Sequence, residues 1–243
     1  MIEEGLFSRW HVDRIFGMHT WAGLDVGRFS ICAGPMLAES GRFDVVIRTK
    51  GGHAASPHKC VDPISIGRRL VDSFDNIVSR ETDPLDPLVV STTRFEAGNA
   101  YNAISDTAKL GGTIRALSGE VYESAVARMA DLATGFSTLF DCVVELNHTR
   151  GYPTLVNDVE STAIAIKVAE ATVGENNVTS NFRPFMGAED FAFMLQEVPG
   201  AFIAIGQGDG PFMHHPKFDF NDEIIPIGAS YWCKLVEDTM PLR

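Results

Sequence analysis

The chain has 243 residues, 45% of them hydrophobic and 21% charged, which is enough apolar material for one large domain or two small ones and too much for a disordered segment. A formal charge of -12 argues against nucleic acid as a partner, because phosphate binding rests on basic surface that releases counterions. No apolar run approaches the roughly 20 residues of a membrane helix, and the acidic Met1-Ile2-Glu3-Glu4-Gly5 lacks the basic-then-apolar pattern of an export signal, so no membrane partner and a cytoplasmic location are expected.

Along the chain, Ile2-Glu3-Glu4-Gly5-Leu6 reads as the tail of a helix ending at a glycine cap. A short strand is expected at residues 14–16. Residues 42–49 alternate Phe43, Val45 and Ile47 against Asp44, Val46 and Arg48, the pattern of a half-buried strand, and Gly51-Gly52 stops it. Asp62-Pro63 supplies an N-cap and a first-turn proline for a helix reaching Arg80, with Ile64, Leu70, Val71, Phe74, Ile77 and Val78 as its stripe. Strands are predicted at 88–95 and 107–116, then a helix capped by Ser118 and a strand at 141–147. The order βαββαβ is the split unit of ferredoxin-like domains.

The flanking pieces, 1–36 and 150–243, belong to one α/β domain interrupted by that insert at 37–149. They hold a helix after Asn157, a short helix from Asp190, an apolar strand at 202–205 and a terminal helix after Pro226. Two strands are too few for an open α/β sheet, so the domain reads as incomplete at its front. The four cysteines, Cys32, Cys60, Cys142 and Cys233, have no C-x-x-C spacing and read as reduced thiols.

Several residues are candidates for chemistry. His19 leaves a buried strand, where open sheets place their ligands, and is a metal ligand or a satisfied structural histidine. His214-His215-Pro216 lies after another strand at a similar position. Gly51-Gly52-His53 suits a side chain presented to a ligand, or a plain glycine turn. Asn102 and Arg115 offer an amide and a carboxylate clamp, although Arg115 also fits a surface ion pair. Capping accounts for Asp190, leaving Glu189 to face the site or water.

Ile15-Phe16-Gly17-Met18-His19, Gly51-Gly52-His53-Ala54-Ala55, Gly98-Asn99-Ala100-Tyr101-Asn102, Gly112-Thr113-Ile114-Arg115, Gly187-Ala188-Glu189-Asp190-Phe191 and His214-His215-Pro216 occur in one order. Taken together they resemble the zinc-dependent amidohydrolases: aminoacylases, hippurate hydrolases and indole-3-acetyl-amino-acid hydrolases. The resemblance implies an α/β catalytic domain of zinc-peptidase type, here incomplete, with a ferredoxin-like lid and dimerisation domain. It implies hydrolysis of N-acyl amino acids and a homodimer formed through the lid. His19 and His214 match metal ligands for zinc, with manganese or cobalt as substitutes, and His215 is the second choice. His53 matches the histidine that steadies the oxyanion in the partner subunit's site. Asn102 and Arg115 match substrate contacts, and Glu189 a position near the metal. A Cys-Gly-His-Asp-x-His segment and a Glu-Glu pair, which supply further ligands and the general base in that family, do not occur here. The isolated chain is therefore expected to be catalytically incomplete with low metal occupancy. The alternative is a non-catalytic dimerisation or binding fragment.

Overall fold

The computed structural model describes residues 1–240. In chain order they form α1 (Leu6–Arg9), β1 (Ile15–Trp21), β2 (Phe29–Ser30), β3 (Gly34–Leu37), β4 (Glu39–Arg48), β5 (Gly52–His53), α2 (Pro63–Asn76), β6 (Leu88–Ala97), β7 (Ala103–Ile104), β8 (Thr107–Ala116), α3 (Gly119–Phe140), β9 (Val143–Arg150), β10 (Leu155–Asn157), α4 (Val159–Val173), β11 (Val178–Thr179), α5 (Phe191–Glu197), β12 (Gly200–Gly206) and α6 (Ile224–Thr239). No helix among the described residues is long and apolar enough to cross a membrane. They divide into two compact units: residues 1–37, 155–185 and 189–240, and residues 38–154 with 186–188.

The first unit is built on a four-stranded mixed sheet in the order β1-β12-β2-β11. All seven residues of β12 are buried, as expected of a central strand covered on both faces. On one face Ala201, Ile203 and Ile205 meet Ala165, Val168 and Ala169 of α4 and Tyr231 and Leu235 of α6. On the other, Phe202 and Ala204 meet Met36, Leu37, Leu155 and Ala192. Two-residue strands such as β2 and β11 are too short to show an alternating pattern, which is why the sequence yields only two strands here. β1 also runs on to Trp21, past the expected end at residue 16. The last helix begins at Ile224, so Pro226 sits in its first turn, where a missing N–H costs nothing.

Two side chains fix how this unit closes. Asp158 accepts from the Ser161 backbone N–H at 2.8 Å and from its hydroxyl at 2.7 Å, capping α4. The neighbouring Asn157, 2% exposed, accepts from Phe202 N–H at 2.8 Å and donates to Phe202 O at 3.0 Å and Cys32 O at 2.9 Å. At the other end of the unit, Leu6 N–H bonds to Met1 O and Gly5 N–H to Ile2 O, with Gly5 left-handed at φ 89. That bond pair is the Schellman closure expected at a helix end, although Gly5 here also precedes α1.

The second unit carries an antiparallel sheet ordered β6-β8-β4-β9. Phe43, Val45 and Ile47 of β4 and Leu110 and Ile114 of β8 share one core with Ile66, Leu70 and Phe74 of α2 and Tyr122, Ala125 and Met129 of α3. Asp62 caps α2 through Ile64 N–H at 3.0 Å, as the sequence predicts. Ile64 itself is exposed, and Ile66 takes its place in the core. Ser118 makes no side-chain cap to α3, and Asp141, left-handed at φ 48, ends that helix and delays β9 to Val143. Along β4 and β9, the Tyr122 hydroxyl and His148 Nε2 are hydrogen-bonded at 2.6 Å, over Gly41, where an added Cβ would lie 1.8 Å from that oxygen. The nearly buried Glu39 pairs with Arg150, whose guanidinium lies 5.6 Å from the Tyr122 ring centre.

Two expectations follow. Replacing Asn157 with alanine strands the Phe202 amide and two carbonyls in an apolar interior, and should cost about 3 kcal/mol by chemical denaturation. Burial and then the Glu39 charge push the Tyr122 hydroxyl up to about 12, so it stays protonated beside His148. Desolvation holds the His148 pKa below its ordinary 6.5, with Glu123 and Glu39 opposing and Arg150 assisting. The unfolded chain then binds this proton more readily than the folded one, so the His148 contribution to stability is complete above pH 6.5 and is lost as pH falls below it. Denaturation curves at several pH values should show a shallower fall on the acid side for His148→Gln than for the parent chain.

Candidate functional site

Alternation along β1 decides which side chains meet. Phe16 and Met18 pack into the core under α4 and α6, so Gly17, His19 and Trp21 face the opposite side of the sheet, with Phe202 and Ala204 of β12. The His19 ring lies 6.5 Å from that of Phe202, centre to centre. Its Nδ1 is 2.8 Å from Thr20 O, and because a carbonyl can only accept, Nδ1 carries the hydrogen and Nε2 the lone pair.

Glu189 stands ahead of α5 and accepts from Phe191 N–H through Oε1 at 3.3 Å. Asp190, expected to cap this helix, makes no side-chain cap bond, and Glu189 engages the free N–H instead. Burial raises the Glu189 carboxyl above the usual carboxylate range and a hydrogen bond with Asp190 adds to the rise, while the Phe191 N–H and the charge of His19 oppose it.

His214 and His215 occupy the loop after β12. His214 is exposed and left-handed at φ 67, an uncommon conformation for a residue with a side chain. His215 Nδ1 accepts from Lys217 N–H at 3.1 Å, which puts the ring hydrogen on Nε2. The loop is anchored by Phe212, whose ring lies 5.7 Å from Trp21 and 5.7 Å from Phe185. Phe182 and Phe185 also meet Trp21 edge-on, at 5.1 and 5.5 Å. This four-ring cluster is absent from the sequence-based site. Its signals are Trp21 two residues past His19 on the same strand face and Phe212 two residues before His214.

In the second unit, β5 pairs with β7 and sets His53 opposite Ala103. His53 is exposed, and its Nδ1 accepts from Ala55 N–H at 3.1 Å, leaving the hydrogen on Nε2. Ala54 N–H bonds to Asn102 O at 3.0 Å, so His53 and Asn102 share one small two-stranded tip. Arg115 lies elsewhere, near the end of β8, between Ser40 of β4 and Val89 of β6.

The donors suited to a divalent metal are thus His19 Nε2, His214 and the Glu189 carboxylate. Among the described residues no three His, Cys, Asp or Glu side chains come together as a metal cluster.

A profile of peptidase family M20/M25/M40 matches residues 1–238. The chain is 32% identical over 235 residues to the hippurate hydrolase of Campylobacter jejuni, covering 97% of this chain and 61% of that protein. It is 36% identical over 239 residues to IAA-amino acid hydrolase ILR1-like 4 of Arabidopsis thaliana, covering 95% and 54%. The solved structure of a Bacillus subtilis dinuclear metal binding peptidase from the M20 family superimposes with a TM-score of 0.79 at 27% identity, covering 96% of this chain and 58% of that one. The chain therefore spans a little over half the length of the relatives it matches.

The Glu189 environment gives a direct test. Asp190→Asn removes a neighbouring carboxyl that raises the Glu189 pKa by hydrogen bond and by charge. Carbon-detected NMR titration should show Glu189 falling toward the ordinary carboxylate range in that variant.

Proposed function

The chain belongs to peptidase family M20/M25/M40, and from that premise we propose that it forms the larger part of a metal-dependent amidohydrolase acting on N-acyl amino acids. The observation that carries the reading is the sheet face on which His19, its Nδ1 hydrogen engaged by the Thr20 carbonyl, presents a lone-pair Nε2. The relatives support the chemistry, since their names, hippurate hydrolase and IAA-amino acid hydrolase, both describe cleavage of an acylated amino acid.

In this reading residues 1–36 and 150–243 are the catalytic α/β domain and 37–149 the ferredoxin-like lid and dimerisation domain. His19 and His214 face the metal, with Glu189 close by and His215 in reserve. Zinc is the first choice of metal, with manganese or cobalt as substitutes. When bound, such an ion polarises an amide carbonyl and acidifies a water. The described residues do not complete its donor set, because catalytic zinc takes three protein ligands and no three donors cluster among them. No step is therefore routed through it.

The chain's own contribution is orientation and hydrogen bonding. His53 holds its ring hydrogen on Nε2, the tautomer required to donate to a developing oxyanion. It acts in the site of the second subunit of a cytoplasmic homodimer. Asn102, on the same tip, holds the substrate's polar groups, and Arg115 pairs with its carboxylate. The second reading is a non-catalytic dimerisation or binding fragment, in which His19 and His214, not joined in a three-donor cluster among the described residues, play no metal role.

Hydrolysis assays separate the two. A longer polypeptide containing this chain should release amino acid from N-benzoyl or N-acetyl substrates with added zinc or manganese. His53→Ala should lower its kcat by roughly a hundredfold or more. Co-expressing His53→Ala with His19→Ala should recover activity, because one site of each mixed dimer then keeps both histidines. The chain alone should turn over nothing and bind zinc below one equivalent. No activity from the longer polypeptide would favour the binding fragment, and no recovery in the mixture would remove His53 from the partner's site.

A further inference from the structure

We propose that Asn221 is a positioning residue: its side-chain amide latches the loop after β12 and so holds His214 in the setting in which the loop presents that ring. The latch is read from the geometry of this unit alone. That the reaction uses His214 rests on the amidohydrolase reading.

Residues 207–223 join β12 to α6. Gln207 is 6% exposed, but from Asp209 to Phe220 only Met213 and Phe218 are half-buried and the rest are exposed. Apolar packing therefore gives this stretch little shape, and hydrogen bonds must supply it. Its crest is set by short-range turns: His215 N–H donates to Phe212 O at 3.1 Å, and Phe218 N–H to His215 O at 2.9 Å. Those bonds curl the crest without tying it to the rest of the unit. Phe212, whose ring meets Trp21, fastens one side of it.

Asn221 fastens the other. Its Nδ2 donates to Gln207 O at 3.0 Å, joining the end of the loop to its beginning, and its Oδ1 accepts from Glu223 N–H at 3.0 Å. Both abutments are firm. Gln207 N–H donates to Trp21 O at 3.3 Å and Gly208 N–H to Leu24 O at 2.8 Å, which stitches the start of the loop to the end of β1 and the turn after it. On the far side Ile224 N–H donates to Asn221 O at 3.2 Å, and Ile224 is buried in one core with Ile203 and Ile205. The place requires an amide, since a donor must face the Gln207 carbonyl while an acceptor faces the Glu223 N–H. Aspartate, of the same shape, would set oxygen against oxygen.

His214 is where the restraint matters. It is exposed and left-handed at φ 67, a conformation that a residue with a Cβ leaves unless it is held. With the loop fastened on both sides the crest cannot swing outward, and the left-handed turn persists.

The test reads His214 directly in the chain as it stands. A strong amide–Hα Overhauser effect within His214 reports the left-handed backbone, because those two hydrogens come closest at positive φ. Asn221→Asp and Asn221→Ser keep an acceptor for the Glu223 N–H and lose the donor to Gln207, and should weaken that effect at least about twofold. Leu235→Ala, which removes buried α6 packing away from the loop, should lower the urea midpoint at least as far and leave the His214 signal alone. An unchanged His214 signal in both Asn221 variants, or an equal change in Leu235→Ala, would overturn the latch. In the longer polypeptide Asn221→Asp should lower kcat at least roughly tenfold with KM little moved. A shifted His214 with unchanged kcat keeps the latch and removes His214 from the reaction, so the two readings fail separately.

Discussion

The Asn157 amide occupies the place that a peptide group of one more strand would take beside β12. It accepts from the Phe202 N–H and donates to the Phe202 carbonyl, the two bonds that a strand neighbour makes, and reaches the Cys32 carbonyl as well. A buried amide is costly unless paired, and this one pairs three times over. It fixes the return of the chain at β10, immediately before α4 is capped by Asp158, and it holds the middle of β12 at the level where that strand flanks β1. Phe202, whose backbone it clamps, is also the ring against which His19 stands. The geometry of the candidate site thus depends on one side-chain amide that touches none of its polar groups.

Backbone hydrogen bonds also assign the histidines their chemistry. An imidazole that donates through Nδ1 presents a lone pair at Nε2, and one that accepts at Nδ1 presents a hydrogen there. His19 donates to the Thr20 carbonyl, whereas His53 and His215 accept from the N–H groups of Ala55 and Lys217. His19 is therefore set up as a ligand or proton acceptor, and the other two as donors. The difference arises from local backbone direction: a strand carbonyl lies beside His19, and a turn N–H two residues on lies beside each of the others. For His215 the ring hydrogen on Nε2 would have to leave before that atom could take a metal.

How much of this could be read from the sequence varies with the length of the signal. The elements of the second unit are legible because β4 alternates from Phe43 to Arg48 and α2 opens with Asp62-Pro63, both local and strong patterns. The first unit is less legible. β2 and β11 have two residues each and gain their identity only by pairing with distant chain, and the extension of β1 to Trp21 follows from its partnership with β12. The site shows the same division. His19, His53 and His214 stand out through their flanking glycines, strand exits and prolines, while the tautomers that separate their roles depend on single hydrogen bonds. Glu189 was legible as an acid left over beside a helix start, yet its engagement of the Phe191 N–H in place of Asp190 depends on which carboxyl the fold buries.

The aromatic cluster marks where residue spacing gives way to topology. Trp21 and His19 are neighbours by strand alternation, a relation visible in the sequence once the strand is known to reach residue 21. Phe182, Phe185 and Phe212 join them only because β12 and the loops around it converge on the same sheet face. Their partial exposure is a cost that burial within this chain has not removed, for each open ring face forgoes about 25 cal/mol per Å² of apolar area. Nearby rings that could have closed over it are used elsewhere: Phe191 packs against Phe202, and Phe29 against Tyr231 in the core on the opposite face. The cluster is thus held together by contacts between rings brought from four separate places in the chain, with Phe185 and Phe212 still partly open to water.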